Sequence, residues 1–181
     1  MDEQLLIDKA REGNQEAFGQ LYDRYVPKIY RFVFLRVGTR GEAEDITSQV
    51  FMHAWENISR YEHQGFPLSS WLYRMASNAV IDYYRTARHA TDIETIPEDL
   101  FAETPEDGER IDTTKELELL RKAIARLEAD QQNVIVMKFV NDASNKEISQ
   151  ALGKTEGAIR VIQHRALKQL KQITDELRSN N

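Results

Sequence analysis

The chemistry-bearing side chains are densest between Ser144 and Lys171, where Arg160, Gln163, His164, Arg165, Lys168 and Lys171 fall largely outside an apolar helical stripe. Guanidinium, imidazole and amide groups on one side of a helix suit hydrogen bonding to base edges in a DNA major groove, with further basic groups on the phosphates. The flanking residues supply the elements needed to present them. Ser144-Asn145-Lys146-Glu147 has the form of a capping box, in which the Ser hydroxyl accepts a backbone N–H and the Glu side chain reaches back. Ile148, Ala151 and Leu152 give the helix that follows one apolar stripe, and Gly153 stands where a left-handed turn residue is wanted. Thr155 then caps a second helix running through Leu170, with Ala158, Ile159, Ile162, Ala166, Leu167 and Leu170 expected on its buried face. The pattern is that of a helix-turn-helix. Glycine-linked helix pairs with solvated basic faces also occur in other all-α proteins, so taken alone the segment is compatible with DNA reading and with plain packing.

A second mixture of groups lies upstream. Trp71, Asn78 and Arg85 fall on one predicted helix, and Tyr61, His63 and Gln64 lie in the loop before it. Single-stranded nucleic acid is held by rings that stack on bases, amides that read base edges and cations that follow phosphates. The same aromatics also serve helix packing, so both roles stand at this point. Catalysis finds no support in the pattern: there is no glycine-rich phosphate loop, no HExxH pair and no activated nucleophile setting, and the four His are scattered. No enzyme, metal or cofactor is expected.

The elements that carry this second group read as helices from the amino terminus to about Arg88. Leu5, Leu6 and Ala10 form a short amphipathic start that ends at Gly13. Asn14 caps the next helix, whose stripe is Ala17, Phe18, Leu21, Tyr22 and Tyr25, with Pro27 as punctuation before Ile29, Tyr30, Phe32, Val33 and Val37 continue the apolar surface to Gly38. A third helix from about Gly41 to Ile58 buries Ala43, Ile46, Val50, Phe51, Ala54 and Ile58 and turns Glu44, Asp45, Ser48, Gln49 and Met52 outward. After a break at Gln64-Gly65-Phe66-Pro67, a fourth helix from about Ser69 to Arg88 has core positions Leu72, Met75, Ala76, Ala79 and Val80.

Charge separates this half from the other. The net charge of the 181 residues is −6, yet the stretch from Thr91 to Asp112 alone carries nine acidic residues against Arg110, leaving the remainder with a net of +2. With Pro97, Pro105, Gly108 and few large apolar residues, this stretch has the composition of a linker. It is either a solvated connector or an acidic segment that mimics nucleic acid or enters a basic channel on a partner. The expected organisation is all-α, with helical domains over residues 1–90 and 114–181 joined by an acidic linker over 91–113. The absence of Cys, the acidic start Met1-Asp2-Glu3-Gln4 and the lack of an apolar run near 20 residues lead to the expectation of a soluble cytoplasmic protein.

Three segments taken together resemble sigma region two: Phe18 to Tyr25, Ala43 to Trp55, and Trp71 to Asp82. Leu127 to Leu170 resembles sigma region four, and the order and spacing are similar to those of the extracytoplasmic-function (ECF) class of sigma-70 RNA polymerase sigma factors. The resemblance implies an alternative sigma factor that binds core RNA polymerase and directs promoter recognition and transcription initiation. It implies that Asp45, Ser48, Gln49, Phe51 and Trp55 dock on the polymerase core, with Ser48-Gln49 standing where the family usually has Gln-Glu. It implies that Tyr61, His63, Gln64, Trp71 and Asn78 melt the minus-ten element and capture a flipped base, with Arg74, Arg85 and Arg88 on phosphates. It implies that Arg160, Val161, His164 and Arg165 read the minus-thirty-five element, and that Lys154 and Thr155 contact the DNA backbone. Ser149 replaces the Ala typical of the first helix at the crossing. Core RNA polymerase, promoter DNA and an anti-sigma factor are the implied partners. The alternative is a helix-turn-helix regulator whose helical amino-terminal half senses a ligand or dimerises.

Overall fold

The computed structural model describes residues 2–62, 66–91 and 111–179, with the side chains of 88–91 and 111–114 left aside. His63, Gln64, the Arg88 side chain and residues 92–110 of the expected linker lie outside the described residues. Every regular element among the described residues is helical: α1 Glu3–Arg11, α2 Gln15–Val37, α3 Arg40–Asn57, α4 Leu68–Thr91, α5 Ile111–Ala125, α6 Ala129–Ile135, α7 Asn145–Leu152 and α8 Glu156–Ser179. A short 3₁₀ turn, Ile58–Arg60, follows α3, and a π-helical stretch, Val136–Val140, continues α6. No helix among them is long and apolar enough to cross a membrane.

Local signals set most boundaries. The Asn14 side chain accepts the Ala17 N–H at 2.9 Å and starts α2, which ends at Gly38 in the left-handed conformation, φ 87°. Pro27 does not punctuate the helix as its type suggests, because α2 runs through it without a break. The carbonyl of Asp23 loses its helical donor there, but Asp23 and Pro27 both face solvent, where water satisfies the orphaned group. In α1 the buried residues are Leu6, Ile7 and Ala10, whereas Leu5 is 46% exposed. A step of 100° along the helix carries Leu5 off the stripe and brings Ile7 onto it.

The amino-terminal core is built where α1 to α4 meet, around Leu6, Leu21, Ile29, Phe32, Leu72 and Val80. Aromatic contacts stitch its seams: Phe18 meets Trp55 at 5.0 Å, and Phe32 meets Tyr73 at 5.4 Å. Tyr22 stays 39% exposed, although its ring meets Phe51 edge-on at 4.8 Å. In the carboxy-terminal half, Ile124, Val134, Met137, Ile148, Ile159 and Ala166 continue the same hydrophobic cluster among α5 to α8. Leu167, expected inside, is 42% exposed, because the stripe of α8 runs through Ile159, Ala166 and Ile173 and leaves Leu167 a step of 100° off it. That helix also continues past Leu170 to Ser179.

The halves pack against each other. α7 lies along the start of α4, where Ser69 donates to the Glu147 carboxylate at 2.9 Å and Ser70 to the Glu147 carbonyl at 3.1 Å. Arg36 on α2, buried, donates to the Asn133 side-chain oxygen on α6, and Asn133 in turn donates to Ser77 on α4 at 3.0 Å. Burial away from water lowers the Arg36 guanidinium to about 10, partly offset by Tyr84 and Asp130. Lys28 and Arg31 complete the seam, the Lys28 carbonyl accepting from Asn141 at 3.3 Å and Arg31 donating to the Val140 carbonyl at 3.4 Å.

Candidate nucleic-acid interface

The helix-turn-helix is built as its sequence requires. Ser144 accepts the Glu147 N–H at 3.2 Å and Glu147 accepts the Ser144 N–H at 2.8 Å, completing the capping box. Burial alone would raise the Glu147 pKa, but hydrogen bonds from Ser144 and Ser69 and the charge of Lys28 hold it below the ordinary carboxylate range. Gly153 turns the chain at φ 63°, and the Thr155 hydroxyl accepts the Ala158 N–H at 3.2 Å to open α8. With Ile159 and Ala166 locked in the core, Arg160, Val161, His164 and Arg165 fall on the opposite, exposed side. Lys168 and Lys171 extend that face. Its cations are differently engaged: Arg160 lies 3.7 Å from Glu156, and Lys154 pairs with Asp130 at 2.9 Å. Arg165, Lys168 and Lys171 have no ion-pair partner among the described residues. A polar helix face with Arg165 at its centre, preceded by the free amides of a helix N-terminus, fits major-groove edges and flanking phosphates.

On α4, Trp71, Arg74, Asn78 and Arg85 recur at helical spacing; Arg74, Asn78 and Arg85 are exposed and Trp71 is half-buried. The structure divides this stripe between two cavities. A small one of about 230 Å³ is lined by Arg60, Tyr61, Phe66, Trp71, Arg74 and, from the other half of the chain, Gln150. Tyr61 is buried; its ring lies 5.1 Å from that of Trp71 and its hydroxyl donates to the Phe66 carbonyl at 3.0 Å. It forms the floor, and Trp71 offers the accessible stacking surface. Asn78 instead faces a groove of about 760 Å³ between α3 and α4, shared with Gln49, His53 and Asp82. Arg85 lies 3.1 Å from Asp82.

The outer side of α3 presents Asp45, Ser48 and Gln49 to solvent together with Met52, 59% exposed. Phe51 and Trp55 do not share that surface: Phe51 is buried against Tyr22, and half-buried Trp55 packs on Phe18.

Sequence reasoning missed the groups that join the halves. Arg36 carried a signal, a lone charge within the apolar run Phe32 to Val37. Asn133, Ser69 and Ser77 carried none, since each depends on a partner more than fifty residues away. Lys146, 5.8 Å from the Phe66 ring, belongs to the same class.

Comparison with known proteins matches residues 21–90 to sigma-70 region 2 and residues 117–170 to sigma-70 region 4. The chain is 32% identical to the ECF RNA polymerase sigma factor SigW of Bacillus subtilis over 184 aligned positions, covering 93% of this chain and 95% of that protein. It is also 32% identical over 176 positions to the ECF RNA polymerase sigma factor BldN of Streptomyces coelicolor, covering 91% of this chain but spanning only 63% of that relative's length. In fold it is similar to CnrH, solved in complex with the cytosolic domain of CnrY, with TM-score 0.75, 22% identity, and 96% and 97% of the two chains covered. It is likewise similar in fold to RpoE of Bartonella quintana, solved with the anti-sigma factor NepR, with TM-score 0.72, 23% identity, and 87% and 96% covered.

Proposed function

Because the chain belongs to the ECF class of sigma-70 RNA polymerase sigma factors, we infer that it lends promoter specificity to a core polymerase through two separate DNA faces. One observation carries this reading: region two and region four each end in a solvent-facing helix stripe of base-reading and phosphate-binding groups, on α4 and on α8. We divide the chain into a region-two domain over 1–90, an acidic linker over 91–113 and a region-four domain over 114–181.

In this account Arg160, Val161, His164 and Arg165 enter the major groove of the minus-thirty-five element, while Lys154 and Thr155 approach its backbone. Tyr61 and Trp71 hold an unstacked base of the minus-ten element, with His63, Gln64 and Asn78 reading the non-template strand and Arg74, Arg85 and Arg88 on its phosphates. Melting is driven by binding: stacking and hydrogen bonding to the extruded base offset an unstacking cost of a few kcal/mol, so no nucleotide hydrolysis is required. Asp45, Ser48 and Gln49, joined by Met52, meet the polymerase core, with Phe51 and Trp55 supporting them from within. The cytoplasm, where core polymerase works, is the assigned compartment. An anti-sigma factor is the assigned regulator, by analogy with the complex of Bartonella RpoE and NepR. The helix-turn-helix regulator alternative has no observation in its favour once both sigma regions are matched.

Run-off transcription with purified core polymerase, on fragments of the source genome, tests the reading. Discrete transcripts that depend on this protein and share paired upstream elements are expected. Duplex binding without core binding or transcripts would return the chain to the class of simple regulators.

A further inference from the structure

Lys154 stands in the turn between α7 and α8, and its backbone is fixed there: its N–H donates to the Ser149 carbonyl at 3.0 Å, just after Gly153 turns the chain. Its side chain crosses to a different helix, where Nζ lies 2.9 Å from the Asp130 carboxylate at the start of α6. That start is itself anchored, since Gln131 accepts the Glu128 N–H at 3.2 Å. Arg160 differs, because its carboxylate, Glu156 at 3.7 Å, belongs to α8 and travels with it. The Lys154 and Asp130 side chains are 33% and 50% exposed, so water reaches the pair and a DNA phosphate can replace the carboxylate. An ion pair of this exposure is weak enough to yield to a well-placed phosphate, yet it confines an otherwise free amine.

Confinement bears on specificity. Duplex DNA of any sequence is bound through its phosphates, each cation that meets one releasing a condensed counterion. A lysine amine on a flexible four-carbon stem can follow phosphates in many registers. Tied to α6, the Lys154 amine keeps one position relative to α8, and a phosphate meets it only in the register that seats α8 in the groove. In other registers it stays neutralised by Asp130 and releases no counterion. Arg165, Lys168 and Lys171, without ion-pair partners among the described residues, supply attraction in every register.

We propose that Asp130 is a positioning residue for promoter specificity, which reserves the phosphate contact of Lys154 for the correctly seated duplex. The inference rests on the reading of α8 as the minus-thirty-five helix and of Lys154 as a backbone contact. Both partners lie within region four.

Fluorescence anisotropy of the full chain, read across a salt series, tests this with two duplexes of equal length: the upstream element shared by the run-off transcripts and a scrambled version. At low salt Asp130→Asn should bind the scrambled duplex about fivefold more tightly than wild type, the upper worth of an exposed ion pair. Its log–log salt slope on that duplex should steepen by about 0.9, the signature of one added phosphate contact. On the cognate duplex the slope should stay unchanged, so that the preference for cognate over scrambled sequence narrows by about threefold or more. Asp130→Glu keeps a carboxylate and should keep the wild-type slopes. In a Lys154→Gln background, Asp130→Asn should alter neither slope, which separates the holding of Lys154 from removal of a charge or a local change in α6. An equal gain on both duplexes, an unchanged slope on the scrambled one, or the full effect persisting without Lys154 would overturn the proposal. A wild-type chain that binds both duplexes alike would instead remove the duplex-reading role of α8, and this inference with it.

Discussion

The α8 face and the α4 face are assigned the same kind of partner, yet the fold treats them in opposite ways. Along α8, Arg165, Lys168 and Lys171 stand in solvent without an ion-pair partner among the described residues. Along α4, Arg74 is bonded to α7 and the cavity beside Trp71 is walled by Gln150. Duplex DNA has its edges on display, so a rigid helix held by its cap and core can read them without rearrangement. An unstacked base exists only after the duplex is opened, so a surface assigned to it meets its ligand later than a duplex-reading face does. The contrast is one of availability: among the described residues Arg165, Lys168 and Lys171 of α8 are free of ion pairs, whereas Arg74 on α4 is bonded across the seam.

The largest expected effect breaks the seam that creates the contrast. Asn133→Leu leaves the Arg36 guanidinium buried without its acceptor, and the chain should lose about 3 kcal/mol of stability in urea unfolding. A loss below about 0.5 kcal/mol would show that Arg36 relaxes into water and that the seam is weak. Next, Arg165→Ala on the exposed face should cost about 2 kcal/mol in binding by holoenzyme to the cognate upstream duplex, and less on scrambled sequence. An equal loss on both would make Arg165 a phosphate contact. Ser144→Ala removes the cap that begins α7 and should lower thermal stability by about 1 kcal/mol, with Ser144→Asn restoring it.

The smallest effect sharpens the comparison through pH. Glu147 is bonded to both Ser144 and Ser69, and its pKa is held below that of the unfolded chain. Its contribution to stability is therefore fully present above the unfolded carboxylate pKa and is lost as pH falls through the lower, folded value. Glu147→Gln should flatten the acid limb of the stability curve. An unchanged limb would show that other carboxylates govern it.

Much of this arrangement was legible in the sequence because it is local. The capping box at Ser144, the left-handed Gly153, the Thr155 cap and the apolar buried positions of α3 follow from residue type and helical spacing, whereas the burial of Thr47 does not. Failures arose where a single step of 100° or a distant partner decides the outcome. Leu5 and Leu167 are apolar residues next to a stripe and not on it. Pro27 did not end its helix because the carbonyl it orphans faces water. The ring of Phe51, whose burial follows from helical spacing, and that of Trp55, whose packing on Phe18 does not, fill the gap between α2 and α3. The seam itself was illegible, since Arg36, Asn133 and Ser77 acquire meaning only once α2, α4 and α6 are brought together.

The most direct test of the two-face account is photo-crosslinking in the complete polymerase–promoter complex, with a photoreactive residue placed at position 71 in one protein and position 165 in another. The account predicts that position 71 marks single-stranded bases of the minus-ten element only after melting, while position 165 marks duplex bases of the minus-thirty-five element before and after. Both positions crosslinking to one element, or position 71 marking unmelted duplex, would contradict it.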